Sequence, residues 1–208
     1  MKILREYHFF ISGDRSHSTE FVHRSFQLLY GDLANRGISY HEKIIWLDCV
    51  SQFKNARMSY WFSRMHRLCR VQYMWNFIEA SHGKGEHDGA GTCNKRVLAH
   101  EELKYKDGAI LIDAKSIVQW CNAIMGPGKE GESMIHIFFW LIENTNIAPY
   151  EDYCTLIGSS ELHSFRSSDV GSWSIHTWKM ACYCPSCVEE NWDIVSQLNG
   201  WTNGIYEF

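Results

Sequence analysis

Lys43-Ile44-Ile45-Trp46-Leu47-Asp48 is an unbroken apolar run entered by a lysine and closed by an aspartate. A continuous run of this kind, bounded by polar residues, predicts a strand buried on both faces, as in a parallel sheet. On its C-terminal side Met58, Trp61, Phe62, Met65 and Cys69 recur at helical spacing, and Val71 to Ile78 reads as a second strand with aromatic residues on alternate positions. On its N-terminal side Tyr7 to Ser12 is a β-prone run closed by Gly13-Asp14. Val22, Phe26, Leu29 and Leu33 then mark a helix from Ser18 to Arg36, stopped by Gly37. After a glycine-rich segment, Ser81 to Gly91, a polar helix is expected from about Thr92 to Lys104. Strand and helix therefore alternate, which predicts an α/β sheet with parallel neighbours.

The second half is harder to parse. Asp113 to Ala123 reads as a helix and Met134 to Ile142 as a strand, with further strands at Leu156-Ile157 and Trp173 to Cys182. No repeat, low-complexity tract or linker forces a division. The softest joint is Met125 to Gly131, where Gly and Pro interrupt regular structure, so we expect a core over 1–125 and a strand-rich extension over 126–208.

The totals bound the function. The 208 residues suffice for a sizeable core, and with 45% apolar and 21% charged residues the composition is that of a globular chain. A formal net charge of -4 argues against a surface coated in basic charge for sequence-blind DNA binding, although a local basic patch remains compatible with it. No apolar run is long enough to span a bilayer, and Met1 to Glu6 lacks the pattern of a signal peptide. The eight Cys are accordingly expected to be thiols or metal ligands, in a nuclear or cytoplasmic protein.

Three groups of residues have the types that chemistry requires. Asp48 ends the apolar strand, at the sheet edge where open α/β proteins gather ligands; an Asp there serves equally as a cap for the next helix. Asp88 follows the next strand at the expected mouth of a helix, with Glu86 and His82 close by, and again a cap is the simpler reading. Carboxylates at two strand ends are what Mg²⁺ or Mn²⁺ would need for phosphodiester chemistry. The third group is Cys182, Cys184 and Cys187. Cys184-x-x-Cys187 is zinc-knuckle spacing, and His163, His176 or Cys154 are the available fourth ligands, against a reading as ordinary thiols. Lys54, Arg57, Arg64, Arg67 and Arg70 give the second helix a basic side suited to DNA or simply to solvent. His82-Gly83-Lys84-Gly85 would let backbone amides and a lysine approach a phosphate.

Trp46 to Asn55 resembles the SDGCxxQFKN stretch of a widespread group of transposon-derived proteins with a DDE-type, RNase H-like core. Trp75-Asn76-Phe77, Ser81 to Gly85 and Asp88-Gly89-Ala90-Gly91, with Lys95-Arg96 just after, resemble that group's WNFxxxSHGKGxxDGxG signature. The likeness is co-linear from about Tyr7 to Cys121 and touches the Cys182 to Cys187 region. It implies a partial RNase H-like core followed by a less regular α+β region. Asp48 takes the place of the second catalytic carboxylate, and Asp88, with Glu86 behind it, that of the third. The Tyr7 strand takes the place of strand three, so strands one and two, with the first Asp, would lie before Met1. The expectation is a transposase-derived protein without catalysis, in weak contact with DNA through Lys54, Arg57, His82, Lys84, Lys95 and Arg96. The rival expectations are a protein–protein interaction module and a zinc-stabilised binding domain.

Overall fold

A computed structural model describes residues 5–14, 18–78, 85–104, 108–126, 135–143, 158–167, 174–178 and 203–207. The architecture is mixed α/β: strand β1 (Arg5–Ile11), helix α1 (Thr19–Asn35), strand β2 (Glu42–Asp48), helix α2 (Ala56–Cys69), strand β3 (Gln72–Ile78), helices α3 (Glu86–Glu102) and α4 (Ala114–Met125), strand β4 (Ile135–Leu141), a 3₁₀ turn (Ser159–Glu161), and strands β5 (Ser164–Ser167), β6 (Ser174–Trp178) and β7 (Asn203–Glu207). Among the described residues no helix is long and apolar enough to cross a membrane. The chain divides into two compact units, 1–36 with 84–147 and 37–83 with 148–208. This partition is interleaved, whereas the sequence suggested a linear cut near residue 125.

In the first unit β1 and β4 form a two-stranded parallel sheet, with Arg5 opposite Ile135 and Ile11 opposite Leu141. The odd positions face α4. There Val118, Cys121 and Phe139 are buried, and Phe9, Ile11, Ile137 and Leu141 pack around them together with Leu98 of α3. Burial pushes the Cys121 thiol up to about 11, so it behaves as a small apolar group. Asn122 fixes α4 to the strand: its amide donates to the Phe139 carbonyl at 2.9 Å and its carbonyl accepts the Phe139 N–H at 3.2 Å. These bonds occupy backbone groups that a further strand would otherwise satisfy. Sequence logic holds at the helix ends. Ser18 accepts the Phe21 N–H at the start of α1, and Asp113 accepts the Ser116 N–H at the start of α4.

The second unit holds a five-stranded sheet in the order β2-β3-β5-β6-β7. The β2–β3 pair is parallel, as the alternation predicted, with Ile45 opposite Trp75 and Asp48 opposite Ile78; β5, β6 and β7 add on antiparallel. Helix α2 covers one face of β3. Phe62 packs against Tyr73 and Trp75, Trp61 against Trp75, and Phe77 against Phe165 of β5.

Two expectations need correction. β2 is not buried on both faces: it is the edge of its sheet, and Ile44 and Trp46 stand 47% and 50% exposed. An apolar run reports strand propensity, but a strand with a neighbour on one side only keeps a solvated flank. Helix α3 starts at Glu86, not near Thr92, so the glycine-rich Glu86 to Gly91 is helical and not loop. Glycine lowers helix propensity by about 1 kcal/mol per residue, which is why the sequence pointed to a loop there.

Candidate functional site

The β2–α2 corner carries the QFKN-like stretch. Asp48 is the last residue of β2 and is exposed, and the Cys49 N–H donates to the Ile78 carbonyl of β3 at 3.1 Å. Asn55 precedes α2 and acts as its cap, its side-chain oxygen accepting the Met58 N–H at 3.0 Å. The same amide donates to the carbonyls of Ser51 and Gln52 at 2.8 and 3.2 Å, closing the corner. Lys54 folds back onto the corner, with Nζ 3.5 Å from Cys49 Sγ and 5.5 Å from the centre of the Phe77 ring. Lys54 and Asn55 thus have structural duties inside the motif. His163 lies at the same end of the sheet, exchanging backbone with Phe77 through a 2.8 Å bond from the Phe77 N–H. Its Nδ1 lies 3.3 Å from the Phe77 carbonyl. A carbonyl only accepts, so that contact places the ring proton on Nδ1 and leaves the Nε2 lone pair outward.

The first turn of α3 carries the other expected carboxylates, and it belongs to the other unit. Asp88 is the third helical residue: its carboxylate accepts the Gly85 N–H at 2.9 Å, while its own N–H donates to the Gly85 carbonyl at 3.1 Å. That is half of a capping box: the Asp88 carboxylate caps the Gly85 N–H, while Gly85 has no side chain to reciprocate. Its other neighbour is His87, at 3.4 Å. Glu86 accepts from Arg5 at 3.0 Å and from the Tyr7 hydroxyl at 3.4 Å, tying α3 to β1. Residues two apart on a helix point in different directions, so Glu86 and Asp88 do not face one point.

Within either unit, then, the described carboxylates do not converge. Among the described residues no three His, Cys, Asp or Glu side chains form a group able to hold a metal. Of the carboxylates expected to hold Mg²⁺ or Mn²⁺, Asp88 is engaged as a cap and Glu86 as an ion pair, and Asp48 belongs to the other unit. Of the expected zinc ligands, His163 is described, whereas Cys182, Cys184, Cys187 and Cys154 lie outside the described residues.

The expected DNA contacts are divided between the two units. Lys54 and Arg57 sit at the start of α2 in one unit; Lys95 and Arg96 are exposed on α3 in the other; His82 and Lys84 lie outside the described residues. Arg96 lines a groove of about 520 Å³ between α3 and α4, with Cys93, His100 and Lys104 on one wall and Trp120 and Ile124 on the other. A second cavity of about 310 Å³ adjoins Cys93 and is floored by Gly89, with Phe9, Met125, Ile137 and Phe139 around it. The sequence reading missed the groove although its signal was present: Cys93, Arg96, Val97, His100 and Lys104 recur at helical spacing within the helix expected from Thr92 to Lys104.

A chain of polar groups on β1 was also missed. The Trp140 indole N–H donates to His8 Nδ1 at 3.1 Å, so the His8 proton sits on Nε2, 3.2 Å from Glu6. Arg36 grips the two Glu6 oxygens at 2.6 and 2.9 Å and Asp32 at 2.8 Å, with its guanidinium 5.0 Å over the Phe138 ring. The Arg36 hydrogen bond holds the Glu6 carboxyl below the usual range, and Glu6 in turn raises Arg36.

No curated protein and no solved structure matches this chain. A family model does match residues 2–151, described as a domain of unknown function (DUF8701), and its span takes in β1 to β4 and helices α1 to α4. The chain therefore belongs to the DUF8701 family.

Proposed function

We propose that this chain is a transposase-derived protein that no longer performs strand transfer and retains a weak contact with DNA. The resemblance of Trp46 to Asn55 and of Trp75 to Gly91 to DDE-type elements supports the ancestry, together with an RNase H-like origin of the β2-α2-β3 segment. The observation that carries the loss of catalysis is the engagement of Asp88 as the cap of α3, with Glu86 paired to Arg5. Two-metal phosphoryl chemistry requires carboxylates free to converge on the ions. A metal at Asp88 would have to displace the cap. The DNA-facing groups are Arg57 and Arg64 on α2 and Lys95 on α3.

The test is Mn²⁺-dependent cleavage and strand transfer on duplex DNA, with Asp48→Asn and Asp88→Asn as controls. No activity above these variants from folded protein is expected. Metal-dependent turnover lost in both would overturn the proposal. DNA affinity should fall as salt rises and weaken in Arg57→Glu.

One observation favours a structural zinc as a second reading. Ligating histidines commonly donate their other ring N–H to a carbonyl, the arrangement in which His163 Nδ1 meets the Phe77 carbonyl. Cys182, Cys184 and Cys187 would complete the set. Metal analysis of purified protein, with chelation followed by circular dichroism, decides it: bound zinc whose removal unfolds the chain supports the reading, and metal-free folded protein removes it.

A further inference from the structure

Helix α3 presents Cys93, Arg96, Val97, His100 and Glu101 to a groove, Lys104 lies just past its end, and Trp120 and Ile124 of α4 form the facing wall. The ten α3 residues from Cys93 to Glu102 span about 14 Å, a little under three turns. The α4 wall is apolar and open: Ile124 is 64% exposed and lines the groove beside Trp120. Exposed apolar side chains lining a groove are a feature of protein-binding surfaces. The polar groups of the groove are unequally engaged. Lys104 is neutralised by Glu101 at 2.6 Å, and Glu101 also accepts the Ala109 N–H at 2.9 Å. Arg96 makes no hydrogen bond or ion pair among the described residues. The groove is thus an apolar channel with one open cation on its rim.

The geometry points to an amphipathic helix of acidic flank as the occupant of the α3–α4 groove: its apolar side chains lie against Val97, Trp120 and Ile124, and a carboxylate meets Arg96. Helix-in-groove recognition takes apolar anchors at i, i+3, i+4 and i+7, which match a channel of this length. Nucleic acid fits less well. A sugar–phosphate backbone has nothing apolar to bury against Trp120 and Ile124. The groove lies wholly within one unit and does not depend on the transposase ancestry.

The full chain is titrated into a labelled synthetic helix, about four turns long, with Leu at those anchor positions and Glu beside them, and into the same helix with Lys in place of Glu. Anisotropy should give a Kd on the order of 10 µM for the acidic peptide and binding about tenfold weaker for the basic one. Arg96→Glu should weaken the acidic peptide and strengthen the basic one, a charge-swap rescue that loss of folding would not produce. Ile124→Ser, at a largely exposed position, should weaken both. Cys93 is exposed and lines the groove, so the acidic peptide should also slow its alkylation by N-ethylmaleimide, mapped by mass spectrometry, without slowing that of Cys49. Absence of saturable binding, equal affinity for the two peptides, or unchanged Cys93 alkylation overturns the inference. So does displacement of the peptide by a single-stranded oligonucleotide in an Arg96-dependent manner, which assigns the groove to nucleic acid. Self-association lost in Ile124→Ser would assign it to a second copy and likewise overturns the acidic-helix occupant.

Discussion

Two parallel strand pairs organise the molecule, and they are stabilised by different means. β3 is flanked by β2 and β5 and roofed by α2, and Tyr73, Trp75 and Phe77 are almost wholly buried. β1 and β4 form a sheet of two strands, of which Phe139 is the single fully buried position among their described residues. Parallel sheets are usually wide and covered on both faces, and a lone pair of strands is a weak unit. The narrow sheet makes up for this with ring stacking and charge. His8 stacks on Phe138 at 4.8 Å, Phe9 on Phe139 at 5.1 Å, and the chain Trp140–His8–Glu6–Arg36–Asp32 binds the far face. The wide sheet should therefore fail when volume is removed, and the narrow one when charge is removed.

The largest effect tests the first half of that contrast. Trp75→Ala removes a side chain that is 1% exposed and touches Trp61, Phe62 and Phe77; a loss of about 3–5 kcal/mol is expected from denaturant unfolding. Trp46→Ala, on the edge strand beside it and half exposed, should cost about 1 kcal/mol or less. Equal losses would mean that β2 is covered in solution and that the edge assignment is wrong.

Next comes the polar pair inside the wide sheet. Asn76 is fully buried, and its side-chain oxygen accepts the Ser164 hydroxyl at 2.9 Å across the β3–β5 register. Asn76→Ala strands that hydroxyl and should cost about 1–3 kcal/mol, while Ser164→Ala in the same background should add little, since the pair is already broken. Additive losses in this double-mutant cycle would separate the two residues.

The narrow sheet should respond to pH instead. The Glu6 carboxyl is held below its ordinary value of 4.5, chiefly by the Arg36 hydrogen bond. A carboxylate depressed in the folded state stabilises the fold above its unfolded value, and that stability is lost as pH falls through the folded value. Glu6→Gln should accordingly cost about 1–2 kcal/mol near neutrality and nothing in strong acid, where wild type has already lost the ion pair. Circular dichroism melts from pH 3 to 7 check this; a difference constant with pH would show that shape, not charge, holds β1.

What could be foreseen in the sequence follows the same division. The alternation of β1, α1, β2, α2 and β3, and the later α4 and β4, was legible because each bears a periodic apolar pattern or a cap that works locally. Strand β5 was not: Ser164, Arg166 and Ser167 are types that usually stay exposed, and they are buried here because β3 supplies partners, among them the Tyr73 N–H to Ser167 Oγ at 3.0 Å. The polar chain on β1 was hidden for a related reason, since Glu6, Arg36 and Trp140 are brought together only by the fold. At the candidate sites, Asp48 lies at its predicted strand end and Asp88 caps the helix at whose mouth the sequence put it, although its glycine neighbours hid how early that helix starts.

Those glycines supply the smallest and cleanest prediction. Gly89 and Gly91 lie inside α3, and a Cβ on either would meet no atom within 4 Å among the described residues. Gly91→Ala should therefore raise stability by about 0.5–1 kcal/mol, the usual gain from removing a helix-interior glycine. Gly126 is the opposite case. It ends α4, and a Cβ there would stand 2.1 Å from the Asn122 carbonyl oxygen, on the turn whose side chain anchors β4. Gly126→Ala should lower stability, and it should do so through the Asn122–Phe139 contacts of the narrow sheet. Thermal melts of the two variants therefore move in opposite directions. If Gly91→Ala also destabilises, the first turns of α3 carry a packing constraint, and the glycines of the Asp88 to Gly91 stretch serve the fold; if it stabilises, the fold does not require them, and their presence points to something that approaches the helix from outside.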